Sequence, residues 1–123
     1  MADSVLIPTV GKGLITAALL TSAYKYMGWG TGTTNPVAAN TALETARAEA
    51  RTTGTQSQQT TTTTNDTYQV VGTITCASTV AVITELAIFD ATTVGVLFLR
   101  DVFSAINVNV GDSVQFTTKV QLT

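Results

Sequence analysis

The residues that could do chemistry in this 123-residue chain are few, and their spacing does not suit it. There is no histidine, a single cysteine at Cys76, and eight carboxylates against six Lys and Arg. General acid–base and nucleophilic catalysis draw on His, on paired carboxylates, or on Ser or Cys beside a base. Asp90, Asp101 and Asp112 are the carboxylates to consider together as a catalytic group. Each sits at a predicted turn, where aspartate usually serves the backbone. Metal sites want clustered His, Cys, Asp or Glu, and no such spacing is present. Gly30-Thr31-Gly32 lacks the third glycine and the following helix of a dinucleotide cradle. Cys76 alternates with Ile74 in a strand-like run, which predicts a buried core thiol. A lone cysteine forms no intrachain disulfide. The residues therefore predict a structural or binding protein, with no catalytic residues, no cofactor and no metal.

Composition points the same way. About a fifth of the residues are threonine, and only 11% are charged, well below the roughly 25% of an ordinary globular chain. Neutral Thr, Ser, Gln and Asn take the place of the charges. Low surface charge is tolerable when neighbours cover the surface, so the expectation is an oligomer or an assembly component. Lys12, Lys25, Arg47, Arg51, Arg100 and Lys119 are scattered, and the net charge is −2. No basic patch exists to neutralise phosphates, so no nucleic-acid partner is expected. The apolar run Leu14–Leu20 is too short to span a bilayer, so no membrane partner is expected. Asp3 stands where a signal peptide wants positive charge, which argues against a cleaved leader.

The elements that must position these residues are mostly strands. Residues 4–10 are apolar and β-prone, but Pro8 excludes a central strand, so an extended arm or edge strand is predicted. Leu14, Ala17, Ala18 and Thr21 recur at helical spacing, which predicts a short helix within residues 12–23. Residues 24–30 alternate as a strand, with Tyr24, Tyr26 and Gly28 on one face and Lys25, Met27 and Trp29 on the other. Thr41-Ala42-Leu43-Glu44 fits a capping box, which predicts a second short helix reaching about Arg51. Residues 52–67 are a polar, Thr-rich tract that suits either a flexible loop or a solvent-facing hairpin turning at Asn65-Asp66. A regular repeat that would suit ice binding is missing from it.

From Tyr68 the chain is strongly β. Tyr68, Val70, Gly72, Ile74 and Cys76 share a face. Residues 80–90 are apolar on both sides and read as a central strand, in which Glu85 must lie at an edge or pair with a cation such as Arg100. A hairpin loop over 91–95 leads to strands at 96–100 and 102–110, and Gly111-Asp112 turns into the last strand. There Val114, Phe116, Thr118, Val120 and Leu122 face inward. The predicted fold is mainly β, an antiparallel β-sandwich or barrel with one or two short helices. It forms one domain over 1–123, with an N-terminal extended arm over about 1–11.

The run Ile83-Thr84-Glu85-Leu86-Ala87-Ile88-Phe89-Asp90-Ala91, a short glycine-containing loop, and Leu97-Phe98-Leu99-Arg100 resemble a segment common in small virion proteins of tailed bacteriophages. Phe103 through Asp112, the strand from Val114 to Phe116, Gly28-Trp29-Gly30-Thr31-Gly32 and Thr41–Glu44 extend the resemblance over most of the chain. The chain is most similar to the capsid cement, or decoration, proteins of that group. The resemblance implies a small β-rich homo-oligomer, often a trimer, made in the host cytoplasm and placed on the capsid surface of the virion. Its implied partner is the major capsid protein, clamped at local three-fold or quasi-three-fold positions after the shell expands. The expected contact elements are the arm, with Val5, Leu6, Ile7, Pro8 and Val10, and the aromatics Tyr24, Tyr26 and Trp29, since aromatics dominate hot spots. For the three aromatics core packing is the competing role. A tail, collar or neck fibre module, binding a host receptor or another tail protein, is the alternative.

Overall fold

A computed structural model describes residues 4–123. The part of the arm at residues 1–3, with the Asp3 reading, lies outside the described residues. The chain folds as α1 (Thr9–Leu20), β1 (Tyr26–Gly30), β2 (Thr52–Thr53), β3 (Thr55–Gln59), β4 (Thr67–Thr75), β5 (Ala81–Phe89), β6 (Leu97–Val108) and β7 (Ser113–Gln121). The strands make two sheets, ordered β2-β1-β5-β6 and β3-β4-β7, with every pairing antiparallel. They pack face to face as a β-sandwich with one helix.

Alternation sets which residues fill the space between the sheets. Met27 and Trp29 of β1, Tyr68, Val70 and Ile74 of β4, and Ile83, Leu86 and Ile88 of β5 are at most 3% exposed. Cys76 joins them as a buried free thiol, in the core as its spacing predicted. β5 lies between β1 and β6 and is buried on both faces, as its apolar residues on both sides predicted. The Thr-rich tract resolves into β2, β3 and a tight turn into β4. In that turn Asn65 takes a positive φ of 57°. The Asp66 carboxylate accepts the backbone N–H groups of Thr61, Thr62 and Thr63. The turn into β7 uses Gly111 at φ 97°, a conformation that favours glycine.

Three expectations are corrected. The arm ends sooner than predicted: Pro8 caps α1, and Val10 lies in the first turn of the helix. Proline is tolerated there because a helix start does not need its missing N–H. Residues 4–8 are exposed and join no strand. Residues 41–51 form no helix, so the sandwich carries one helix and not two. Tertiary partners take the groups that the capping box would have used. Glu44 accepts from Thr33 N and Thr34 N, 2.9 and 3.2 Å away, and not from its own turn. The N–H groups of Glu44 and Thr45 donate to Glu85, and Arg47 N donates to Trp29 O. Finally, 97–108 is one continuous strand with two bulges against β5, not two strands. Asp101, between the two predicted strands, pairs in regular register with Leu86, and the bulges lie to either side of it.

The two sides of the sandwich are closed differently. On one, the chain crosses between sheets at Gly54, from β2 to β3, and α1 lies against β3 and β4. On the other side, β6 and β7 are the outer strands of their sheets, and among the described residues neither pairs with a further strand.

Candidate partner-binding surface

α1 turns its apolar stripe outward. The helical spacing of Leu14, Ala17, Ala18 and Thr21 is present, but all four are exposed, with Leu14 at 68%. The buried residue of the helix is Thr16. Its hydroxyl donates to Asn65 O at 2.7 Å and lies 2.7 Å from Gln58 Nε2, a donor to it. Gln58 also donates to Gly13 O, and Gln56 Nε2 lies 3.0 Å from both Leu19 O and Ser22 O. Polar side chains of β3, with Leu19 packed on the core, therefore hold the helix, and the Leu14 side is left free. Val5, Leu6 and Ile7 of the arm continue that surface, at 93%, 83% and 49% exposure. Val10 is exposed as well. Lys12 is the only charge in this segment. Beside it a shallow cleft of about 470 Å³ runs between Val10, Leu14 and Ala17 of α1 and Gln58, Thr64 and Asn65.

The structure therefore brings together five of the residues singled out in the sequence, Val5, Leu6, Ile7, Pro8 and Val10, and adds Leu14 and Ile15. The signal for the addition was the absence of any acidic residue from Ser4 to Tyr24. The three aromatics lie elsewhere. Trp29 is 2% exposed, stacks edge-on to Phe116, and donates from Nε1 to Glu49 at 2.9 Å, so it is core. Tyr24 is half-buried against Phe98, and Tyr26 is half-buried beneath Lys25.

The carboxylates serve the fold. Gly28 and Gly30 lie on the face of β1 turned away from the core, and segment 31–51 crosses that face closely. A Cβ at Gly30 would collide with Thr45 O and the Glu85 carboxylate. Glu85 is fully buried there. It accepts Gly32 N, Glu44 N and Thr45 N at 2.8–3.1 Å and pairs with Arg100 Nε at 2.8 Å. Arg100 reaches on to Asn40 and Thr34 O, so the pairing expected from the sequence anchors the whole segment. Burial alone would push the Glu85 carboxyl up, but the Thr45 N–H, the Arg100 guanidinium and the other N–H donors outweigh it and hold it below the usual range.

Glu49 is a second anchor, binding Trp29, Arg47 and the Ala77-Ser78 turn. Burial opposes its charge, yet the indole, the Ser78 hydroxyl and two backbone N–H groups bring it down to about 2. The Thr61 N–H, followed by Thr63, Thr67 and Thr62 against an opposing burial effect, depresses Asp66 as well. Asp90 accepts Val96 N and Asp112 accepts Asn109 N, each closing a hairpin, and Asp101 is exposed on β6. Among the described residues, no three His, Cys, Asp or Glu gather as metal ligands, and no helix is long and apolar enough to cross a membrane.

The chain matches no protein-family model and no curated protein.

Proposed function

We propose that this protein is a phage capsid decoration protein, which binds the mature capsid lattice through the major capsid protein and stabilises it by multivalent contact. The observation that carries the reading is the uncharged apolar surface of Val5, Leu6, Ile7, Val10 and Leu14, which the fold leaves uncovered. Scattered apolar residues are ordinary on a surface, but a contiguous group marks an interaction site. The physical logic is mass action, since a ligand that binds only the assembled lattice stabilises that lattice. An oligomer, such as the expected trimer, adds avidity across several contacts. The carboxylates bind their own backbone or stand apart, which favours a role without catalysis.

Purified protein mixed with mature and with unexpanded heads, then sedimented, tests this. Saturable co-sedimentation with mature heads, lost in Leu6→Ser/Leu14→Ser, is expected. Immunogold label over the head of intact virions would agree. Label confined to the tail or neck, or no binding to either head form, would overturn it.

The outer face of β3-β4-β7 favours the second reading, a tail, collar or neck fibre module. It presents Thr55, Ser57, Gln69, Thr73, Gln115 and Thr117, and Lys119 is the one charge on β7. Hydroxyls and amides on a flat face suit hydrogen bonding to a receptor sugar. Tail-restricted label would promote this reading.

A further inference from the structure

We infer that the open side of the sandwich, walled by β6 and β7, is the interface between copies of this chain. The inward residues of β1, β4 and β5 are nearly all sealed, but Phe98, Leu99, Phe103 and Ile106 of β6 and Val114, Phe116 and Val120 of β7 are each left partly exposed. Phe103 and Phe116 meet across the opening, with centroids 5.9 Å apart. Among the described residues, seven of the nine half-buried apolar side chains packed on the core thus belong to β6 and β7, the others being Leu19 and Tyr24, and this side lies opposite the one that α1 and the Gly54 crossing close.

The backbone repeats the asymmetry. β6 is the longest strand, at twelve residues, and pairs only with β5, while β7 pairs only with β4. Among the described residues, those of β6 make no backbone hydrogen bond beyond the β5 ladder. Half of its N–H and C=O groups therefore point off the sheet unpaired. Natural edges of this length are blunted with Lys, Pro or a covering element. β6 has neither Lys nor Pro, and its blunting is confined to the two bulges and one exposed charge, Asp101.

The size of the wall suits a stable protein interface, and its chemistry favours a second copy as the occupant. Twelve extended residues span about 40 Å, and two sheets about 10 Å apart with their side chains make a wall about 20 Å thick. That is about 800 Å² per copy, the share each partner contributes to a standard stable interface. A copy of the same wall offers what this one lacks: a matching apolar seam and a second set of unpaired strand groups. Its exposed edge charges, Asp101 and Lys119, are opposite in sign, so like walls meet without net repulsion. The contact deepens the decoration reading by supplying its multivalency. It is tested on free protein, so it can fail while head binding stands, and the reverse.

Light scattering coupled to gel filtration should give two or three times the 12.8 kDa chain mass for the wild type. Ser104→Arg/Ala105→Arg places charge at exposed positions in mid-β6 and should return one chain mass with an unchanged circular dichroism spectrum. Should that variant misfold, hydrogen exchange on the wild type decides: the β6 and β7 amides must gain protection as concentration rises. A wild type of one chain mass at every concentration would overturn the inference. So would an oligomer that survives in the folded variant, or one without concentration-dependent protection of β6 and β7. Protection of β6 and β7 seen only on heads would assign the wall to the capsid protein and overturn it equally.

Discussion

Segment 31–51 and helix α1 exchange the usual roles of loop and helix. The segment has almost no regular structure, yet buried Glu85, the Arg100 guanidinium and nearly buried Glu49 fasten it to the first sheet. α1 is regular, yet it presents Leu14 and Ile15 to solvent and is held by Thr16, Gln56 and Gln58 beside the packed Leu19. A stretch of chain is held in place by the satisfaction of its polar groups, whatever its secondary structure. A region whose polar groups are satisfied while its apolar surface is not is placed to meet a partner. By that measure the segment is fastened to its own chain, and the helix is the region left open.

The largest blow to the contrast is Glu85→Ala. It leaves Arg100 buried without its partner and three N–H groups without an acceptor. Breaking a buried pair from one side costs about 3–5 kcal/mol, and urea unfolding should show a loss of that order. A loss under about 1 kcal/mol, the scale of an exposed pair, would mean the segment is not anchored there.

Trp29→Phe keeps the aromatic packing on Phe116 but removes the donor to Glu49. Hydrogen bonds to charged groups are worth about 1.5–3 kcal/mol, so an intermediate loss is expected in the same assay. Arg47 and Ser78 still hold Glu49, which favours the lower end.

Acid sharpens the comparison. The Glu49 carboxyl ionises more readily in the folded protein, so the unfolded chain takes up protons first as pH falls. The stability this contributes is complete above about pH 4.5 and is lost progressively as pH falls to about 2. Glu85 and Asp66, also held low, act in the same direction. The urea midpoint should be level at neutral pH and drop across that window, and Glu49→Gln should flatten the drop. An unchanged slope in Glu49→Gln would remove Glu49 from the account.

The smallest effect on stability belongs to the other region. Leu6→Ser and Leu14→Ser alter exposed side chains, and such changes stay within about 0.5 kcal/mol. Unfolding curves should overlay the wild type while binding to heads is lost. A substantial destabilisation would show that the stripe packs against its own chain.

Much of the sandwich is legible in the sequence, because a strand writes its buried face at every second residue. Tyr68–Cys76 and Val114–Val120 could be read that way, and the two-sided burial of 81–89 followed from apolar residues at both odd and even positions. The ion pair of Glu85 followed from the expense of an unpaired charge in such a strand. Threonine and glutamine blurred the middle of the chain, since they serve turns and strands equally, and only pairing with β4 made 55–59 a strand.

By itself, then, the sequence determined the mainly β class, the central strand and the choice for Glu85 between an edge position and a cation partner. Each of these rests on local periodicity or on the desolvation of one residue, and neither needs a distant partner to be read. The tertiary structure alone decided that 41–51 would not be a helix, that α1 would bury Thr16 and expose Leu14, and that β6 and β7 would part into different sheets. In each case the choice lay between local hydrogen bonds and contacts formed far along the chain. The glycine face of β1, the carboxylate of Glu85 and the amides of β3 outbid the local alternative only once the fold had brought them close.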